Sequence, residues 1–155
     1  MQLKINGIWF YGLSGSGKSF ASRCLMKTLE KGFMIDGDNV RKFISTDLGY
    51  TFDHRKIQLE RLLGISKLAL INGFVPIVSS VTMNTEILDA CTHIGIDVIE
   101  IQRSEIERYR ERNIYLTEIN VVGVDIPFEP LNTHKIINCG TNLFERDILK
   151  YAHEA

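Results

Sequence analysis

Residues 12–19 read Gly12-Leu13-Ser14-Gly15-Ser16-Gly17-Lys18-Ser19, directly after the apolar stretch Ile8-Trp9-Phe10-Tyr11. The three glycines, the lysine and the hydroxyl fall at the G-x-x-x-x-G-K-[ST] spacing of a P-loop. β-like residues before the loop and helical spacing after it supply the context that separates a phosphate cradle from a chance match. The constraint on folding is severe, because such a loop works only where a strand hands over to a helix N-terminus. Gly12, Gly15 and Gly17 allow backbone that a Cβ would forbid, so that N–H groups of the loop, including those of Leu13, Ser14 and Ser16, can close around an anion. Lys18 can reach the β- and γ-phosphates as a point charge, and Ser19 is placed to ligate Mg²⁺. A plain Gly/Ser turn has no need of Lys-Ser after its last glycine. The residues therefore predict ATP and Mg²⁺ as cofactors, ATP being taken as the donor because a P-loop reads phosphates and not the base.

Downstream, short β-like runs alternate with helical patterns, which predicts an α/β P-loop fold with a mainly parallel sheet of about five strands flanked by helices. Strands are expected at about 5–11, 33–36, 75–81, 97–101 and 135–139. The first helix carries Ala21, Cys24, Leu25, Thr28 and Leu29 at 3-4 spacing, with Gly32 as its stop. Asp36-Gly37-Asp38-Asn39 reads as a polar turn. A longer helix spans about 54–72, capped by Thr51 or Asp53 and stopped by Gly73. Asn84 or Thr85 opens a helix to about 92, and Ser104-Glu105-Ile106-Glu107 is a capping box for a charged helix to about 112. Residues 117–133 read as an irregular loop, and Asn142-x-x-Glu145 caps a last helix to about 153. No repeat, low-complexity tract or linker divides the 155 residues, which suit one domain burying roughly 70% of its unfolded surface.

Composition excludes several classes. With 45% apolar and 24% charged residues and a net charge of −1, no global field points to nucleic acid or an anionic membrane. No apolar run approaches the roughly 20 residues of a membrane span, and the N-terminus lacks a signal-peptide pattern. Cys24, Cys91 and Cys139 are odd in number and widely spaced, which suggests a reduced, cytoplasmic setting with buried thiols acting as small apolar groups.

In open α/β sheets ligands lie outside the carboxyl ends of the strands. Asp36, Asp38, Asn39 and Arg41 leave strand two there, Ser79, Ser80 and Thr82 leave strand three, and Arg103 follows strand four with arginines at 108, 110 and 112. Phosphoryl transfer needs a metal-bound donor, an oriented hydroxyl and positive charge for the migrating group, and this inventory contains each. Asp38 could accept the hydroxyl proton while Asp36 holds a Mg²⁺ water; the residues alone leave open which acid takes which role. An arginine within 103–112 could stabilise transferring charge, although Glu105, Glu107 and Glu111 are spaced to pair with several of them. His54 could shuttle protons or simply be an exposed helix-start residue. Thr141 and Asn142 could contact the donor base or cap the last helix.

At these residues the chain resembles the adenylylsulfate kinase family, P-loop enzymes that phosphorylate the ribose 3′-hydroxyl of adenosine 5′-phosphosulfate. The resemblance rests on the P-loop, on Asp36-Gly37-Asp38-Asn39-Val40-Arg41, on Asp47-Leu48-Gly49-Tyr50 followed by Arg55, and on Gly123-Val124-Asp125-Ile126-Pro127-Phe128-Glu129. It implies that Asp38 lies at the acceptor hydroxyl, that Arg41 and Arg55 hold the anionic tail, and that Tyr50 stacks on the base. It also suggests a homodimer. The departures fall on the acceptor side: Gln58 stands where the family has a substrate-binding Asn, Glu60 where it has an Arg, Thr82 where it has a phosphorylatable Ser, and the basic Lys-Gly-Leu-Tyr core after strand four is gone. This pattern suggests the same reaction on adenylylsulfate or on a changed acceptor such as cytidine diphosphoramidate, which relatives in capsule modification phosphorylate. The competing readings are a catalytically silent nucleotide-binding regulatory module and an NTPase without an acceptor.

Overall fold

In a computed structural model, which describes residues 5–104, 122, 128 and 130–154, the strand before the glycine loop lies at the centre of the sheet. β1 (Gly7–Tyr11) is buried along its whole length. It is flanked by β3 (Val75–Ser80) and β4 (Ile96–Gln102), with β2 (Gly32–Asp36) and β5 (His134–Ile137) at the edges. The order is β2-β3-β1-β4-β5 and every pairing is parallel. The five-stranded parallel sheet predicted from the alternation is thus the fold observed.

Side chains on β1 alternate between the two faces, as the two-residue period of a strand requires. Trp9 and Tyr11 enter a core with Leu59, Leu62, Ile87 and Cys91. Ile8 and Phe10 enter another with Ala21, Leu25, Phe144 and Ile148. The helices divide accordingly: α1 (Lys18–Met26) and α5 (Thr141–Glu154) cover one face, α3 (Phe52–Ile71) and α4 (Thr85–Ile94) the other. Burial on both faces explains why the central strands read as continuous apolar runs.

Local chemistry sets the ends. Thr51 caps α3 by accepting from His54 N, and Asn84 caps α4 by accepting from Ile87 N. Gly73, at φ 79°, follows the end of α3. Four expectations from the sequence are corrected. The first helix stops at Met26, after which the backbone makes i→i−3 bonds, Thr28 N to Leu25 O at 2.9 Å and Leu29 N to Met26 O at 3.4 Å; Gly32 begins β2 instead. Asp36-Gly37-Asp38-Asn39 is the start of a helix, α2 (Gly37–Phe43), since the Asp36 carboxylate accepts from Asp38 N at 2.9 Å as an N-cap. The last helix opens at Thr141, which puts Asn142 inside its first turn and not ahead of it. Cys139 is exposed, whereas Cys24 and Cys91 are buried as expected. The charged helix expected at 104–112 and most of the loop at 117–133 lie outside the described residues. No described helix is long and apolar enough to cross a membrane.

One polar bond crosses the core between the two central strands. Trp9 Nε1 donates to Ser80 Oγ at 2.8 Å, and Ser80 Oγ donates onward to Thr82 O at 2.6 Å. Ser80→Ala strands the buried indole N–H and should cost about 1–3 kcal/mol. Urea denaturation followed through the one tryptophan of the chain measures this; an unchanged midpoint would contradict it.

Candidate active site

The glycine loop passes from β1 to α1 in the geometry the motif requires. Gly15 and Gly17 have φ of 83° and 110°, in the left-handed region that favours glycine. Packing closes the same positions: a Cβ on Gly12 would lie 2.4 Å from Ile101 O, and one on Gly17 would lie 2.6 Å from Asn138 Nδ2. α1 begins with no side-chain cap and no acid in its first turn, so its N-terminal N–H groups and dipole remain available to an anion. The carbonyls of the loop are held by side chains. Lys18 Nζ donates to Gly12 O at 2.7 Å and Leu13 O at 3.1 Å. Arg103 Nη1 donates to Gly15 O at 3.0 Å, and Asn138 Nδ2 donates to Ser16 O at 2.9 Å. Ser16 Oγ is buried and without a partner inside the turn. A backbone cradle of this shape, with an ammonium over it, suits a polyphosphate.

The residues expected around a metal also meet. Ser19 Oγ lies 3.5 Å from Asp36 Oδ2, while Asp36 Oδ1 is occupied by Asp38 N. Among the described residues no group of three or more His, Cys, Asp and Glu side chains converges. One hydroxyl and one carboxylate fit Mg²⁺, which usually keeps several waters and takes its remaining ligands from phosphate. Asp38 is exposed, one residue into α2, at the carboxyl end of β2.

A second group forms where α2 meets α3. Arg41 Nη1 donates to Gly49 O at 2.7 Å, and Arg55 Nε donates to Tyr50 O at 2.9 Å. Their guanidinium carbons lie 4.3 Å and 5.4 Å from the Tyr50 ring centre. Arg41, Tyr50 and Arg55 are therefore brought together, with Arg41 over the ring. Burial lowers the Arg41 pKa, partly offset by Tyr50 and Asp38. Burial, and then the charge of Arg41, push Arg55 down to about 10, which leaves it a cation at neutral pH. The charge of Arg41 thus disfavours that of Arg55, a repulsion that a bound anion would offset.

Beside them opens a cleft of about 240 Å³, lined by Tyr11, Arg55, Leu59, Thr82 and Met83 together with Phe128. Thr82 thus reaches the cleft. Gln58 does not line it; its buried amide donates to Gly37 O at 3.1 Å. His54 is committed locally, accepting from Gly49 N through Nδ1 at 2.7 Å. Thr141 opens α5, and Arg108, Arg110 and Arg112 lie outside the described residues. The sequence reading missed Phe128 as an individual residue: its ring stacks on Tyr11, centroids 6.0 Å apart, as part of the cleft wall. The reading also missed Asn138, which no local motif flags because its partner is 122 positions away.

The adenylylsulphate kinase family pattern matches residues 5–113. The adenylyl-sulfate kinase of Bacteroides thetaiotaomicron is 34% identical over 137 residues, covering 79% of this chain and 68% of its own length. That of Staphylococcus carnosus is 32% identical over 145 residues, covering 84% and 73%. Among solved structures, the Mycobacterium tuberculosis APS kinase in complex with AMPPNP and APS superposes with a TM-score of 0.78 at 22% identity, over 93% of this chain and 96% of that one. At that identity the likeness speaks for the fold.

If the arginine pair is an anion site, sulfate should stabilise the protein even with ADP saturating the glycine loop. Ligand at a hundred times its Kd adds about 2.7 kcal/mol. Thermal unfolding should show this shift in the native protein and its loss in Arg41→Gln and Arg55→Gln. An equal shift in all three would contradict the assignment.

Proposed function

This chain belongs to the adenylylsulphate kinase family, and from that membership we propose that it transfers the γ-phosphoryl group of ATP to the ribose 3′-hydroxyl of a nucleotide with a modified 5′-phosphate tail. It is a phosphotransferase with a hydroxyl acceptor. What supports the reading is that the Ser19–Asp36 contact joins the glycine-loop end of α1 to the Asp36–Asp38 start of α2, and that α2 also carries Arg41, which meets Arg55 at the Tyr50 ring.

In this reading residues 12–19 hold the triphosphate, with Lys18 supplying positive charge at the β- and γ-phosphates. Ser19 and Asp36 would hold Mg²⁺, directly or through its waters, which when bound neutralises charge on the phosphates. Asp38 takes the proton of the attacking hydroxyl. The oxygen–phosphorus bond to the acceptor forms as the bond to the ADP leaving group breaks, so charge is conserved across the three participants. Arg41 and Arg55 hold the anionic tail of the acceptor, and Thr82 and Tyr50 face the same ligand. Thr141 would lie toward the donor base.

The named acceptor of the family's relatives, adenylylsulfate, is the first expected here. A second acceptor, cytidine diphosphoramidate, is favoured by one observation: Gln58, at the position of the family's substrate-binding Asn, commits its amide to Gly37 O. A loss of that contact would tolerate a different nucleoside. Coupled ADP release compares the two. Acceptor-dependent release is expected with at least one of them, and none with either would leave only the silent-module or NTPase readings.

Asp38→Asn keeps size and fold but cannot take a proton. It should lower acceptor-dependent kcat roughly 10²-fold or more. Unchanged turnover would contradict the assignment of Asp38 and favour an acceptor-independent NTPase.

A further inference from the structure

Gln58 is a buried amide that the stability of the protein does not explain. It lies in the second turn of α3 at 4% exposure. Its Nε2 donates to Gly37 O at 3.1 Å, whereas its Oε1 is buried with no partner. A carbonyl can only accept, so the bond to Gly37 fixes which way the amide faces. An acceptor left without a donor in the interior is destabilising, and an apolar side chain of similar length would remove the defect. With one end of the amide a cost to stability, the end in use is the Nε2 that donates to Gly37 O.

That end reaches the beginning of α2. Gly37 stands between Asp36 and Asp38 and is enclosed from two sides. A Cβ there would lie 2.9 Å from Ser79 O, so the end of β3 closes one side, and Gln58 reaches its carbonyl from α3. Asp36 ties the next amide, Asp38 N, from below. α2 has seven residues, too few to hold its own first turn rigidly in water. α3 has twenty, and on it Arg55 precedes Gln58 by one helical turn. One stiff helix thus carries both a guanidinium of the cleft and the strut to the Asp38 backbone.

We infer that Gln58 is a positioning residue: through Gly37 O it pins the N-terminus of α2 against β3 and thereby sets where the Asp38 carboxylate stands relative to the anion held by Arg55. The inference rests on the assignment of Asp38 to the acceptor hydroxyl. Gln58 itself touches no reacting atom. A displacement of about 1 Å in a reacting group can lower a rate about 10²-fold, so a single hydrogen bond at this point has leverage over turnover.

The test uses Gln58→Met, which removes both the strut and the unpartnered acceptor at nearly constant length, and Gln58→Glu, which keeps the length but has no donor when ionised. In Gln58→Met, Tm should equal or exceed that of the native protein while kcat falls about 10-fold or more and KM for ATP holds. Gln58→Glu should lose kcat as well. Amide hydrogen exchange supplies a readout independent of any substrate: Asp38, whose amide donates to the Asp36 carboxylate, should exchange about 10-fold faster in both variants, with β1 unaltered. Native turnover in Gln58→Met with unchanged Asp38 exchange would overturn the inference. So would a fall in Tm with exchange faster throughout the sheet, which is the mark of a merely structural residue. If the native protein phosphorylates no acceptor, the proposed reaction falls, and the exchange measurement alone still decides whether Gln58 holds α2.

Discussion

The carbonyl side of the glycine loop is the constraint on which the rest of the site depends. A trans peptide points its C=O and the following N–H in opposite directions, so holding carbonyls fixes where the N–H groups aim. Arg103 holds Gly15 O and Asn138 holds Ser16 O, each from the carboxyl end of a strand on the β4–β5 side of the sheet. Lys18 holds Gly12 O and Leu13 O from inside the turn. These donors come from three separated stretches of sequence, two of them brought to the loop by the parallel sheet. The loop is a product of the fold as much as a local motif.

On the other side of β1 the sheet places β3 and then β2, and the features proposed to serve the acceptor all leave from there. Asp36 has two tasks at one carboxylate: Oδ2 faces Ser19, and Oδ1 caps α2. This ties the short helix to the start of α1, directly after the glycine loop. Arg41 donates to Gly49 O and lies over the Tyr50 ring, and Arg55 donates to Tyr50 O.

Much of this was legible in the residues. The buried strands announced themselves as apolar runs because both faces of the sheet are covered, and Thr51 and Asn84 were readable as caps because capping is chemistry between neighbours in sequence. The glycine loop and the Asp36–Arg41 segment were legible for the same reason. The errors came from competing local signals. Asp-Gly-Asp-Asn has the composition of a turn, yet Asp36 uses its carboxylate to start a helix. Gly32 looked like a helix stop, but α1 ends earlier, in the i→i−3 bonds of Thr28 and Leu29, and a Cβ at Gly32 would meet Met26 Sδ at 2.8 Å. Asn138, Phe128 and the inward-facing Gln58 were beyond a linear reading, since what each does is set by a partner far along the chain.

The central claim is that the two anion-binding features serve one transfer, with Asp38 between them. A crystal structure of the ternary complex with AMPPNP and adenylylsulfate tests it most directly. The account predicts phosphates within the turn of residues 12–19, the acceptor tail on Arg41 and Arg55, and the Asp38 carboxylate within hydrogen-bond reach of the ribose hydroxyl, about 2.6–3.2 Å. An acceptor bound away from the arginine pair, or an Asp38 carboxylate turned from the hydroxyl in the closed complex, would contradict it.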